Sequence, residues 1–272
     1  MKSFNIDIKE NEKRKKKKRK KEKREKKPKK EKNCSQDRVF IPHDVDAYLG
    51  SGATGEVWMA CCEEDCGFAI KVIYLNNEKR FEREAIISYY AGEYLKIGPN
   101  IYDNFVGKLK GVCNYDAGKC GYIVADRLIK QINNVFEDGI SYKTQYKYYK
   151  RIISIVKKLS QNYLVNEDPN HGNWMVDEND NLYLIDYDQV VQLKDSVSVI
   201  YYYNLTKIKH HLFDMLDFHK EIVDEFKDEM DNAFKTARRK NNKLSQRLKE
   251  MKEEIRLLLL DQQIEDIDLL EL

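Results

Sequence analysis

The chain has 272 residues, 49 Lys and Arg against 46 Asp and Glu for a net charge of +3, and 42% hydrophobic residues. That suffices for one packed domain of about 180 residues with tails. No apolar run approaches the roughly 18 residues of a membrane span, Leu257 to Leu260 being only a short leucine run, and no signal-peptide pattern is read. Six cysteines, at positions 34, 61, 62, 66, 113 and 120, form no C-x-x-C pair. This argues against zinc and predicts free thiols in a reducing, intracellular setting.

Charge is unevenly distributed. Met1 to Lys32 holds 18 basic against 6 acidic residues, so the remainder carries 31 against 40. An arm of nearly pure Lys, Arg and Glu has too little apolar surface to fold, and a disordered segment is expected over 1–36. As a partner surface it suits nonspecific contact with nucleic acid or another acidic surface, released by salt.

Further along, Leu49-Gly50-Ser51-Gly52-Ala53-Thr54-Gly55-Glu56-Val57 follows the spacing G-x-G-x-x-G-x-V between two strand-like segments. Val57 to Met59 continue as a strand rather than opening a helix, unlike a dinucleotide-binding turn. Glycine suits such a loop because backbone amides there must approach phosphate oxygens closely. Gly67 to Ile73 then reads as a buried strand interrupted by Lys71, whose ammonium needs an acidic partner. Glu84 and Glu82, both on a helix expected over Phe81 to Tyr94, are the two candidates. Ile101 to Val106 and Gly121 to Leu128 read as further strands. Tyr146 to Leu164 carries apolar residues at helical spacing, with Tyr149, Ile152, Ile153, Val156 and Leu159 on one face.

That helix leads into Asn166-Glu167-Asp168-Pro169-Asn170-His171-Gly172-Asn173, followed by two short strands, Trp174 to Val176 and Leu182 to Ile185, around a polar turn. Symmetric pairing would set Asn173 opposite Asp186, placing an amide and a carboxylate oxygen side by side, a donor set suited to Mg²⁺. Val190-Val191, Val197 to Tyr203 and Leu212 to Phe218 offer material for two more helices. Finally, Met230, Phe234, Ala237, Asn241, Leu244, Leu248, Met251, Ile255 and Leu258 alternate by four and three, which predicts one long helix. Self-association as a homodimer, packing back on its own domain and recruitment of a partner all remain open for it.

Taken in order, these segments resemble the protein kinase-like superfamily over Tyr48 to Asp188, with G-x-G-x-x-G-x-V, a V-A-I-K-type strand, D-x-x-x-x-N and a second aspartate all represented. The loop resembles those of atypical and small-molecule kinases, and the trimmed C-terminal portion resembles the small atypical serine/threonine kinases of large DNA viruses. The resemblance implies an α+β, two-lobed protein-kinase-like fold. Its N-lobe would be small and β-rich (about 37–128) and its C-lobe trimmed and helical (about 129–220), followed by the helical segment 221–272. It implies ATP and Mg as cofactors and a protein or small-molecule hydroxyl as acceptor. Leu49 to Gly55, Val57, Ala69, Lys71, Asp126 and Leu128 would line the nucleotide, Ala125 backing the adenine pocket. Lys71 would hold phosphates with Glu84 fixing it, Asp168 would orient the acceptor, and Asn173 and Asp186 would hold the metal.

The chain departs from the family where Asn166-Glu167 stands for His-Arg and Tyr187-Asp188 for Phe-Gly. From Asn173 onward there is neither glycine nor proline, so no A-P-E anchor exists for an activation segment. The competing reading is a pseudokinase used as an interaction module.

Overall fold

A computed structural model describes residues 36, 38–42, 47–52, 55–75, 78–109, 112–113 and 119–267, the last seven by backbone alone. The arm expected to be disordered therefore lies outside the described residues, apart from position 36. So do Ala53 and Thr54.

The described chain is mixed α and β. Its N-terminal part builds a six-stranded antiparallel sheet from β1 (Val39–Phe40), β2 (Tyr48–Gly52), β3 (Gly55–Cys62), β4 (Asp65–Tyr74), β5 (Ile101–Gly107) and β6 (Cys120–Asp126), in the order β1-β3-β4-β6-β5 with β2 also on β3. Helix α1 (Glu78–Glu93) connects β4 to β5. Side-chain alternation along a strand decides what each face carries. Phe68, Ile70 and Val72 of β4 join Tyr122 and Val124 in one core, while Ile73 and Ile123 turn to the opposite face and pack against Phe81 and Ala85 of α1. Lys71, odd-numbered like Ile73, belongs to the helix-covered face. The approach of helix to sheet is close: a Cβ on Gly121 would stand 2.3 Å from the Phe81 ring.

The C-terminal part is mostly helical. After β7 (Lys130–Gln131) come α2 (Ile132–Glu137) and α3 (Tyr142–Gln161), the latter started by Ser141, whose side chain accepts from the Thr144 amide. Strands β8 (Leu164–Asn166), β9 (Trp174–Val176), β10 (Leu182–Leu184) and β11 (Val190–Gln192) pair as β10-β9-β7 and β11-β8. Helices α4 (Val197–Ile208), α5 (Lys220–Lys240) and α6 (Leu244–Ile267) complete the fold, α4 running on into a π turn over Lys209–Phe213. Tyr148, Ile152, Ile155, Trp174, Leu184 and Phe226 lie in one large core. No helix among the described residues is long and apolar enough to cross a membrane.

Several expectations need correction. Leu164 opens a strand rather than ending α3, because Asn162 caps the helix and Tyr163 turns the chain at φ +61. Val190-Val191 forms strand, not helix, and Leu212 to Phe218 gives only the end of the π turn and a loop. The single C-terminal helix is two: Asn241 adopts an extended conformation and its side chain accepts from the Lys243 amide, breaking the run. Both helices pack back on this chain, with Ala237, Leu244, Met251 and Ile255 in one core with Val191, Leu193, Val199 and Ile200. Cys34–Leu272 forms one compact unit.

The thiols of the described cysteines are not free either. The β3–β4 hairpin brings Cys61 to Cys66, the segment before β6 brings Cys113 to Cys120, and Cys62 is also disulfide-bonded. The expectation of a reducing, intracellular setting loses the support it took from unpaired cysteines.

Candidate functional site

Three distant segments meet at Lys71. Its Nζ donates to Glu84 Oε1 at 2.6 Å and to Asp186 Oδ1 at 3.0 Å. Helical phase settles which glutamate serves: Phe81, Glu84, Ala85 and Ser88 are buried along one face of α1, whereas Glu82 is exposed. Burial alone would lower the Lys71 pKa, but the charges of Glu84 and Asp186 outweigh it and hold the ammonium well above its ordinary range. Glu84 is pushed up, first by burial, with the Asp186 charge adding and the Lys71 charge opposing.

Asp186 sits at φ +60, a left-handed conformation that costs a non-glycine residue roughly 1–2 kcal/mol and that aspartate tolerates better than most. The residues after it are bound to α1. Arg80 donates to the Asp188 carboxylate at 3.1 Å, and Arg83 donates to the main-chain carbonyls of Asp188 and Val190 at 2.9 and 3.0 Å. Asp188 has a raised pKa, from burial first and the charge of Asp186 second, with Lys71 and Arg80 opposing. Tyr187 is buried and donates its hydroxyl to the Leu184 carbonyl at 2.7 Å. Tyr187 is therefore a buried anchor and Asp188 an ionic one.

The loop carrying Asp168 is organised by asparagines. Asn166 Oδ1 accepts from the Asp168 amide, Asn170 Nδ2 donates to both Asp168 carboxylate oxygens at 2.9 and 2.8 Å, and Asn173 Nδ2 donates to the Asp168 carbonyl at 2.8 Å. Trp174 Nε1 donates to the Pro169 carbonyl. From α4, Asn204 accepts from the Asn166 amide and donates to the Leu164 carbonyl, and Lys207 pairs with Glu167. Sequence reasoning missed Asn170, Asn204, Arg80 and Arg83. Asn204 alone left a signal, as an amide within the apolar run of α4.

The expected register is off by one. Leu184 pairs with Trp174 and the Ile185 amide donates to the Asn173 carbonyl, so Asn173 faces Ile185 rather than Asp186. The turn holds an odd number of residues, Glu178 to Asp180, closed by the Asp177 amide donating to Asn181 with Asp180 at φ +58. Asp186 is thus the next residue after the one Asn173 faces. Among the described residues the Asn173 amide oxygen and Asp186 Oδ2 accept no hydrogen bond. No cluster of three or more His, Cys, Asp or Glu side chains is arranged to hold a metal among the described residues.

Gly50, Ser51 and Gly52 of β2 pair with Val57, Glu56 and Gly55 of β3 as a hairpin, and Leu49 sits at a register shift between Tyr48 and Gly50. Gly50 lies at φ +154 with open space where a side chain would stand, while a Cβ on Gly55 would strike the Val72 carbonyl at 1.9 Å. Val57 pairs with Lys71, and Ala69 with Ala125, so hairpin and lysine share one stretch of sheet. Asp126 turns its carboxylate to Asn100 and Tyr102, and the Leu128 amide, in the link beyond β6, makes no hydrogen bond among the described residues. The structure thus joins Lys71 with Glu84 and Asp186, and Asp168 with Asn173. No direct hydrogen bond connects the two groups. Neither the models of known protein families nor the curated proteins match this chain.

Proposed function

We propose that the chain is an ATP-dependent phosphotransferase with a two-lobed, protein-kinase-like architecture. The observation that carries this reading is the convergence on Lys71 of Glu84 and Asp186, residues 13 and 115 positions away. A lysine needed only for stability would be served by one partner. Here Glu84 fixes the ammonium while Asp186 keeps a second oxygen free. Phosphoryl transfer depends mainly on positioning and charge neutralisation, and this arrangement supplies both.

In this reading the β2–β3 hairpin covers the phosphates with backbone amides and Lys71 bonds phosphate oxygens. The Leu128 amide reads the base edge. Asn173 and Asp186 hold Mg²⁺, which neutralises phosphate charge when bound. Asp168, its carboxylate oriented by Asn170, accepts the proton of the acceptor hydroxyl. Serine/threonine residues of a protein are the acceptor we favour, with a small-molecule alcohol distinguished by a substrate screen.

The test is magnesium-dependent ATP turnover or autophosphorylation by the full chain, with Asp186→Asn beside it. Asp186→Asn preserves shape and a hydrogen-bond acceptor for Lys71 while removing the metal-directed charge, so activity should fall at least about a hundredfold. Undiminished activity would refute the assignment. A second reading, a nucleotide-binding pseudokinase, draws on the double contact of Asn170 to Asp168, which occupies both carboxylate oxygens. ATP binding without turnover in the wild-type chain would select it.

A further inference from the structure

A second polar cavity, of roughly 450 Å³, lies apart from the Lys71 cluster, lined by Lys96, Asn100, Lys147, Tyr148, Arg151 and Tyr183 among others. Its lining contains three cations and no carboxylate. Lys96 pairs with Glu93 at the rim, but Lys147 and Arg151 form no ion pair among the described residues. Lys147 donates to the main-chain carbonyls of Asn179 and Asp180, and Arg151 to those of Leu182 and Lys96. The neighbouring carboxylate of Asp177 is consumed inside its own turn by Asn179, Asn181 and Tyr183. Tyr148, wholly buried in the cavity wall, has a hydroxyl with no hydrogen-bond partner.

Each of these is unfavourable in isolation. A half-buried guanidinium without a counter-ion and a buried hydroxyl without a partner both cost free energy. Together they describe a preformed place for an anion. A guanidinium and two ammonium groups match the several oxygens of a phosphate better than the two of a carboxylate. Leu182 and the Tyr183 ring, which lies 5.9 Å from the Arg151 guanidinium, provide an apolar wall for an attached organic body. The volume falls within the span of small-ligand sites, about 300–1,000 Å³.

We infer that the cavity bounded by Lys96, Lys147 and Arg151 is a binding site for a small phosphate monoester, separate from the site built around Lys71. The cavity also adjoins the end of β6, since Asn100 in its lining donates to the Asp126 carboxylate at 2.6 Å. Occupancy would therefore be felt at the start of the segment assigned to nucleotide recognition. Binding itself stands whether or not the chain is a kinase.

The experiment is calorimetric titration of the full chain with inorganic phosphate and with phenyl phosphate. We compare wild type, Lys147→Gln, Arg151→Gln, Asp186→Asn and a chain lacking 1–33. Lys147 is exposed, so its substitution leaves the fold intact, whereas Arg151 also ties two carbonyls and serves as the stronger but less conservative variant. Expected are one site per chain, tighter for phenyl phosphate, weakened about tenfold or more by Lys147→Gln and unaffected by Asp186→Asn or by removal of 1–33. Equal binding by wild type and Lys147→Gln would overturn the proposal. So would binding lost with the arm or with Asp186→Asn, which would place the phosphate on the basic arm or in the Lys71 site.

Discussion

Lys71 and Glu84 depend on each other. Removing the ammonium leaves a glutamate of 3% exposure without the cation that hydrogen-bonds it, so Lys71→Ala should destabilise the chain by on the order of 3 kcal/mol as well as abolish turnover. Adding Glu84→Gln should recover part of the melting temperature and none of the activity. A thermal melt run beside an ATPase assay separates the two effects, and full stability in Lys71→Ala alone would contradict the burial of the pair. The lysine was legible in the sequence because an ammonium interrupts an apolar strand. The resemblance put Glu84 ahead of Glu82, and the helix phase supplies the physical reason, since Glu84 lies on the buried face and Glu82 on the exposed one.

At the scale of single elements, the turn between β9 and β10 rests on Asp177. Its carboxylate accepts from the Asn179 and Asn181 amides, the Asn181 side chain and the Tyr183 hydroxyl. Burial opposes ionisation, but these bonds outweigh it and hold the pKa below the ordinary carboxylate value. A depressed carboxylate contributes stability above its unfolded pKa and loses it as pH falls through its folded pKa. Asp177→Ala should therefore cost about 1–2 kcal/mol at neutral pH, with the gap to wild type narrowing on acidification. A constant gap across a pH series of melts would refute the role. The strands were legible from apolar runs flanking polar residues. Their register was not, because a loop of odd length and one of even length share the same composition, and the difference moved the partner of Asn173 by one.

The same limit applies to the C-terminal helices. A four-three apolar alternation states that a face is buried without saying against what, and here this chain's own strands and helices provide the cover. Met251 is fully buried, so Met251→Ala should lower stability by about 2–5 kcal/mol. The loss should be independent of protein concentration. Melting that rises with concentration would instead favour pairing between copies.

Across the whole molecule, charge and chemistry occupy different parts of the sequence. Deleting Met1 to Lys32 removes 18 basic and 6 acidic residues and leaves a net-acidic remainder. Retention on a polyanion column should then collapse at low salt, while melting temperature and any ATP turnover persist; unchanged retention would place the basic surface elsewhere. The order of segments was readable because each motif is local and each has a backbone or charge requirement of its own. The asparagine scaffold around Asp168 was not, since its bonds depend on the fold of one loop and on Asn204 from α4, and the cationic cavity was not, since it joins residues far apart in sequence whose types are individually commonplace.

The two guanidinium clasps from α1 to the segment after Asp186 have a kinetic meaning. To swing Glu84 away from Lys71, the helix would have to release a carboxylate and two peptide oxygens in one motion. If the proposed turnover holds, its output would follow how much of the chain is made and what it meets, rather than a lever thrown within it.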